Sequence, residues 1–531
     1  MLEYCYKKYI KSVIISFSVL CLLYLYMLSN FWWGNHDWGY LLSGASFKSG
    51  LFEARYSLHL FIDFILDKHI LPIFTFFCVF ICICLLGIII GRYFNIAQKY
   101  WVILCLFIGV NSHIFVIFYY LHYSFSLVVW GLVGVCLLFL SERKHSFVKF
   151  LFGSVGFSLI LGSYPPNLAF IFVIFVAKRI FDYVDEKQNI KQNIFSFLFL
   201  GGQILVAGCC FKIIFSYLIN NRFINDYMYN IKTRDILDII KSLPNEILNS
   251  IFQLFQCFSF MEYGYILPLS ILVLVACFIV YKKSSSKCWI IFLLISLFLA
   301  SRFAFILSEG SGIAVFRLMY WGRLGLYIFA ISVLMKQKDI WIKNLLFLLL
   351  IVFFFNNIVA NFEIQKVQNL GFLSGRLYQK RLLETVVKNN NYDKDVEYIS
   401  LNFGQPNFRK RFYNDKYMTG ELIGYEMVFN FDVANYLFWE ENRNQVIIGG
   451  RIDGASLLMV NRDEGNEKWQ NGTYWKNNLE NMKNIRYWLY TKAKPYPSDD
   501  AVYIDDKYML LVLDPLIFYK KRELVINNLD K

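Results

Sequence analysis

Apolar runs about as long as a bilayer core is thick recur along the first two thirds of this chain, and nothing else constrains its fold as tightly. A helix needs ~20 predominantly apolar residues to cross the hydrocarbon core. On that ruler eleven spans fall near residues 10–29, 70–91, 100–119, 122–140, 147–163, 167–181, 194–219, 264–281, 288–307, 317–335 and 342–360. Of the 531 residues, 57% are hydrophobic and 19% aromatic, more than ordinary soluble cores would hide. The expectation is a polytopic α-helical membrane protein. Lys7, Lys8 and Lys11 precede the first run as in a signal peptide. No small-residue cleavage site follows, so the first helix is expected to be retained.

Charge then orients the spans. The net charge of +14 is concentrated: residues 1–360 hold 29 Lys and Arg against 16 Asp and Glu, whereas residues 361–531 hold 24 against 23. The excess sits in alternate short loops, which argues against a nucleic-acid partner and for a topology signal. Beyond the amino terminus these loops carry Arg92 and Lys99; Arg143 and Lys144; Lys178, Arg179, Lys187 and Lys191; Lys282, Lys283 and Lys287; and Lys336, Lys338 and Lys343. With eleven spans all six segments fall on the cytoplasmic side. Residues 30–69, the turns at 120–122 and 163–167, residues 220–263 and everything after 360 then lie outside. The aromatic, Asn- and Lys-rich, Ala-poor usage suits an AT-rich bacterial genome, so the expected setting is a bacterial cytoplasmic membrane.

All 12 cysteines precede residue 289, which leaves the polar C-terminal region without a disulfide framework. Cys78, Cys82 and Cys84 have ligand-like spacing but sit inside an apolar run, where small apolar side chains are the expected reading.

The outer loops are patterned. Between Leu51 and Lys68, Arg55, His59, Asp63 and Asp67 recur every fourth residue, which aligns them on one stripe of an interfacial helix. A second amphipathic stretch, within 232–257, is interrupted by Pro244 and reads as two interfacial helices. Residues 361–531 are expected to form a separate extracytoplasmic domain of mixed α/β type. Phe372–Lys388 reads as a helix, Val396–Leu401 and Gln445–Ile448 as strands, and Val502–Ile504 with Tyr508–Val512 as a hairpin.

No phosphate-binding glycine loop, metalloprotease helix or nucleophile elbow is present. Chemistry is therefore sought at the membrane. Lys212, Arg302 and Arg323 fall within or near the outer halves of spans, and Arg317 at an outer mouth. Charges at that depth cost a few kcal/mol unless they face a cavity or partner. Four cations converging on the outer leaflet suit an anionic lipid headgroup, against the plainer readings of snorkelling or ion pairing. The first outer loop adds Asn35-His36-Asp37-Trp38-Gly39-Tyr40 and Glu53-Ala54-Arg55-Tyr56.

That loop resembles the first outer loop of the Gtr II type O-antigen glucosyltransferases, members of the GT-C superfamily that use polyprenyl-phosphate sugars. Gly162-Ser163-Tyr164-Pro165-Pro166-Asn167 after the fifth span and the many-span bundle with a late outer α/β domain add to the likeness. The family often has two adjacent acids where this chain has His36-Asp37, and Gly-Arg where it has Ala54-Arg55. The resemblance implies inverting transfer of a hexose, glucose first, from a polyprenyl-phosphate donor to an envelope polysaccharide or glycolipid. Asp37 is the matched general base, with Glu53 and Glu309 as rivals that could instead orient Arg55 or Arg302. Arg55, His59, Arg302 and Arg317 are candidates to hold the departing phosphate. His36, Trp38, Tyr40, Tyr164, Lys212, Glu309 and Arg323 are expected to line the substrate, although interfacial aromatics often serve only as anchors. No cofactor is required; a divalent metal, Mg or Mn, held by Asp37 and His36 is the one these residues would allow. A lipid-linked oligosaccharide polymerase and a flippase or transporter of lipid-linked sugars are the competing functions.

Overall fold

The structure, a computed structural model, describes residues 2–29, 56–57, 71–111, 121–141, 146–164, 166–220, 236–256, 264–303, 306, 315–393, 398–403, 446–451, 487–488, 491–495, 497–505 and 508–512. Its helices are α1 (Leu2–Leu23), α2 (Leu25–Ser29), α3 (Pro72–Tyr93), α4 (Trp101–Val110), α5 (Leu121–Ser141), α6 (Phe147–Leu161), α7 (Pro166–Val184), α8 (Ile190–Asn220), α9 (Ile236–Phe255), α10 (Ile266–Lys283), α11 (Lys287–Ser301), α12 (Val315–Met335) and α13 (Ile340–Val387). Four strands follow: β1 (Tyr398–Phe403), β2 (Val446–Arg451), β3 (Val502–Asp505) and β4 (Tyr508–Val512).

The chain is a helical membrane protein. Among the described residues, α3, α10 and long apolar stretches of α5, α8 and α13 are each long and apolar enough to cross a bilayer. Shorter apolar helices include Phe147–Leu161, Lys287–Ser301 and Trp321–Met335. Local sequence sets several boundaries. Pro72 opens α3, where a missing N–H costs nothing. Ser146 and Ser286 cap α6 and α11 by accepting the Lys149 and Trp289 amides.

The helices are built inside out relative to a water-soluble protein. On α13, Trp341, Leu345, Leu348, Phe355 and Phe362 are exposed, whereas Asn357, Asn361 and Gln365 are buried. Asn361 Nδ2 donates to the Val110 carbonyl at 3.0 Å, and Gln365 Nε2 to the Leu23 carbonyl at 3.3 Å. Apolar side chains directed outward suit lipid, and buried amides tie one helix to another where no water competes.

Helix α7 is the exception that locates the centre. Every residue from Asn167 to Tyr183 is buried, and α7 packs against α5, α11 and α12. Its last turns carry Lys178 and Arg179, expected in an exposed loop but buried here. Asp182 is 2.5 Å from Lys178 and 3.4 Å from Arg179. Arg179 also donates to Gln188 Oε1 at 2.7 Å and to Ser196 Oγ at 3.2 Å. Pairing of this kind offsets part of the cost of burial that would otherwise keep such groups in water.

Two further expectations change. Pro244 does not split the second outer stretch: α9 is one helix running through it. And α13 does not stop at the membrane edge but extends to Val387, taking in the helix expected over Phe372–Lys388. The chain divides into two compact units, one ending at Gln365 and the next beginning at Lys366.

In the second unit the strand order is β2-β1-β4-β3, with β1 parallel to both β2 and β4 and a β3–β4 antiparallel pair. Leu382, Leu383 and Val386 of α13 pack on Val502, Ile504, Met509 and Leu511, the alternate residues that a strand presents to one face. Asn389 and Asn391 donate to the Val502 and Ile504 carbonyls at 3.2 and 2.9 Å. These amides occupy acceptors of a strand that ends the sheet.

Candidate functional site

Two polar centres lie at the end of the first unit where α7 and α12 begin. The first is built from a turn and a helix end. Tyr56 and Ser57 follow directly on Arg55, and both are buried against the end of α6. The Tyr56 hydroxyl donates to the Ser158 carbonyl at 2.7 Å and lies 3.0 Å from Ser158 Oγ. Ser57 N donates to the Gly162 carbonyl at 2.9 Å, Ser57 Oγ donates to the Leu159 carbonyl, and Trp130 Nε1 donates to Ser57 O at 3.3 Å. Burial raises the Tyr56 phenol above its usual range, against the opposing effect of its Ser158 hydrogen bond, so it remains a neutral donor.

Glycine at 162 is required by this junction. A Cβ there would lie 2.2 Å from Tyr56 Cζ. The tight end of α6 continues through Ser163, whose hydroxyl donates to the Ile160 carbonyl, to a half-buried Tyr164. Asn167, fully buried in the first turn of α7, donates from Nδ2 to the Leu127 carbonyl at 2.9 Å; its Oδ1 has no hydrogen-bond partner. Tyr56, the last residue of one segment that carried the family resemblance, thus sits beside Gly162, the first residue of the other, and the next residue, Ser57, donates its backbone N–H to the Gly162 carbonyl. Phe211 of α8 packs near the Tyr56 ring, centroids 6.3 Å apart. That places Lys212, the next residue and exposed, close to the same junction.

The second centre is a buried charge network. Arg302 caps the carboxyl end of α11, a favourable place for a cation. It is 6% exposed, and its Nε donates to Glu246 Oε2 at 2.5 Å. Its Nη1 donates to Gln253 Oε1. Arg323 of α12 is also buried and donates to the Gln256 carbonyl at 3.0 Å. Ser250, Gln253, Leu254, Ser301, Arg302, Arg323 and Leu326 enclose a cavity of about 10 Å³, room for about one water. Helix α9 supplies the polar wall: Glu246 and Ser250 point inward, whereas Ile240, Leu248 and Phe252 are exposed on the other side.

The N-terminal halves of α7 and α12 lie between the centres. Phe170 and Trp321 pack edge to face at 5.7 Å, and Phe172 meets Phe303, just after α11, at 4.5 Å. Gly322 lets α12 approach the end of α11 closely, since a Cβ on it would lie 2.1 Å from the Ser301 carbonyl oxygen.

Of the residues expected from sequence, Arg302 and Arg323 come together on α9, and Tyr164 and Lys212 border the Tyr56 junction. Arg317 lies in the first turn of α12, with its side chain outside the described part. His36, Asp37, Trp38, Tyr40, Glu53, Arg55, His59 and Glu309 lie outside the described residues. So does the interfacial helix expected over 51–68, apart from Tyr56 and Ser57, which form a turn. Among the described residues, no group of three or more His, Cys, Asp and Glu is placed to hold a metal. Sequence reasoning missed Glu246, Gln253, Trp130 and Ser57, and quoted Tyr56 in a motif without giving it a role. Only the spacing of Glu246, Ser250 and Gln253 could have marked one face of α9. Compared with protein-family models, characterised proteins and solved structures, the chain matches none.

Proposed function

We propose that the protein is a GT-C-like membrane glycosyltransferase, moving a hexose such as glucose from a polyprenyl-phosphate carrier to an envelope polysaccharide or glycolipid. In this reading the chain crosses a bacterial cytoplasmic membrane eleven times, with its amino terminus inside and the α/β unit after Gln365 outside. The observation that carries it is the junction of Tyr56–Ser57 with Gly162, at the same end of the helices as Arg302 and Arg323. Transfer from a lipid phosphate needs a base and cations held together, and this reading takes Asp37 and Arg55, in the loop that contains Tyr56, as part of that set.

The acceptor hydroxyl oxygen attacks the anomeric carbon while Asp37 takes its proton. The bond from that carbon to the phosphate oxygen breaks, and polyprenyl phosphate leaves. One displacement inverts the anomeric centre. Arg55, His59, Arg302 and Arg317 stabilise charge on the departing phosphate, and Glu53 orients Arg55. Trp38, Tyr40 and Tyr164 contact the sugar, and His36 flanks the base.

The test is Asp37→Asn in purified full-length protein, reconstituted with polyprenyl-phosphate glucose and envelope glycolipid. Transfer should fall by about 10²–10⁴-fold, the usual contribution of a positioned base, with folding unchanged. Wild-type rates from the variant would remove Asp37 as the base. Movement of lipid-linked sugar across vesicles with no new glycosidic bond would make the protein a transporter.

A further inference from the structure

We propose that the Glu246 carboxylate is a stand-in for the phosphate of a lipid-borne ligand: it holds Arg302 in the empty protein and gives way when that phosphate arrives. The inference rests on the proposed use of a polyprenyl phosphate and deepens it, naming Glu246 as a positioning residue and α9 as the wall through which the lipid reaches the site.

Arg302 is poised for an anion. Its Nε is engaged by Glu246 at 2.5 Å and its Nη1 by Gln253, and Arg323 reaches the carbonyls of Gln253 and Gln256 from the other side. Planar guanidinium groups recognise a phosphate through paired N–H donors in the same way that they recognise a carboxylate. Space decides how the two can share the site. The Arg302 Nε and Nη1 donors are taken by Glu246 and Gln253, and the adjoining cavity of about 10 Å³ has room for about one water, so a phosphate can reach Nε only where Glu246 gives way. Charge gives the same answer. A phosphate set beside an ionised carboxylate in a water-poor interior would be strongly repelled, whereas exchange of one anion for the other leaves Arg302 neutralised throughout.

Helix α9 is suited to making that exchange. Its outer face carries Ile240, Leu248 and Phe252, 57%, 53% and 72% exposed, beside exposed Lys241, Asn245 and Asn249, while Glu246 and Ser250 are buried on the inner face. Such a mixed outer face suits the membrane interface, and the helix stands between that interface and the charged cavity. Pro244, two residues before Glu246, cannot donate to the Ile240 carbonyl, and a helix yields most easily at such a missing bond. Outward movement of the segment around Glu246 would uncover Arg302 on the lipid side, where a polyprenyl headgroup resides.

The experiment uses the full-length protein in nanodiscs, with sugar-free polyprenyl phosphate as the probe. Glu246→Gln keeps a hydrogen-bond acceptor on Arg302 and removes the competing charge, so the probe should bind tighter by about tenfold or more, a coupling of ordinary size. Glu246→Asp should stay near wild type. Arg302→Gln should abolish binding, and adding Glu246→Gln to it should restore nothing. A purely structural Glu246 would give a folded Glu246→Gln variant with equal or weaker binding, which overturns the proposal. Should Glu246→Gln fail to fold, a spin label at the exposed position of Leu248, with Glu246 intact, provides the measurement. Its spectrum should change on adding polyprenyl phosphate, and an unchanged spectrum with bound lipid refutes the exchange. Inorganic phosphate should leave the label unmoved; an equal response to it would refute the lipid as source. None of these readouts uses sugar transfer. Binding as described with no transfer from any donor would refute the glycosyltransferase reading alone, and a wild-type protein that ignores the probe would refute this one.

Discussion

Gly162→Ala is the most direct probe of the junction that brings the first outer loop to the helices. The new Cβ would lie 2.2, 2.4 and 2.5 Å from Cζ, Cε1 and Cε2 of Tyr56. Carbon atoms rest about 3.5–4.0 Å apart, so the ring must withdraw by more than about 1 Å. A free tyrosine would do so cheaply, but this one is tethered: its hydroxyl is 2.7 Å from the Ser158 carbonyl. A shift of that size takes the contact beyond hydrogen-bonding distance and leaves a buried hydroxyl unpaired. Overpacking costs about 1–3 kcal/mol and an unpaired buried polar group about 1–3 kcal/mol, so relaxation through one route costs about 1–3 kcal/mol and through both about 2–6 kcal/mol. The same movement strains the Ser57–Gly162 backbone bond. Apparent thermal stability in detergent should fall, and sugar transfer should fall further than stability accounts for. Combining Gly162→Ala with Tyr56→Ala separates the clash from any intrinsic effect of alanine. With the ring gone, the added methyl group should cost almost nothing. An equal cost with and without the Tyr56 ring would refute the argument.

Gly322→Ala addresses the α11–α12 approach, where the intruding Cβ would meet the backbone carbonyl of Ser301 at 2.1 Å. A backbone atom cannot swing away, so the helices must part, at a cost of about 1–3 kcal/mol or more; wild-type stability in thermal unfolding would show the approach to be looser than this. Acid should also loosen the protein at the far end of α12. Burial opposes ionisation of Asp185, but Lys336 at 3.1 Å and Lys187 outweigh it and hold the carboxyl below its ordinary value of 3.8. A depressed carboxylate stabilises the fold fully above that value and loses its contribution as pH falls through the folded-state value. Burial also lowers the Lys336 ammonium, against the pull of Asp185, which leaves the acid limb to Asp185. Unfolding midpoints followed from neutral pH downward should drop less steeply in Asp185→Asn than in wild type; parallel curves would rule the linkage out.

What sequence made legible follows the strength of the local signal. Among the described residues the apolar runs are helical, because lipid leaves the backbone no other partner, and five stretches are long and apolar enough to cross a bilayer. The late hairpin was legible from two β-rich pieces about a polar turn, and β3 and β4 pair as expected. The parallel neighbours of β1 were not, because β2 and β4 lie far along the chain and nothing local encodes that pairing. Arg302 stood out because an arginine at that depth is expensive. Its partner did not: Glu246 is 56 residues away, and spacing along a chain says nothing about contacts at that range. Lys178 and Arg179 misled in the opposite sense. They lie beside a topology boundary, yet α7 runs past them and Asp182 pairs with both inside.

The inner face of α9 has the largest bearing on the site. Amphipathic spacing shows that a helix has two faces, and the inner one here is mixed: Leu254 is buried and Ile239, Leu243 and Ile247 are half-buried beside the buried Glu246 and Ser250, whereas Lys241, Asn245 and Asn249 are exposed with Leu248 and Phe252. Spacing along the helix does not single out an acid set among apolar residues on that face. The orientation decides what Glu246 can do. A solvated carboxylate would have little hold on Arg302, because water screens an exposed pair to a fraction of its strength. Buried at 5% exposure against an arginine at 6%, it determines whether the site is already neutral when an anionic headgroup arrives. Ligand binding there is then an exchange between anions, and affinity depends on how readily α9 releases its own.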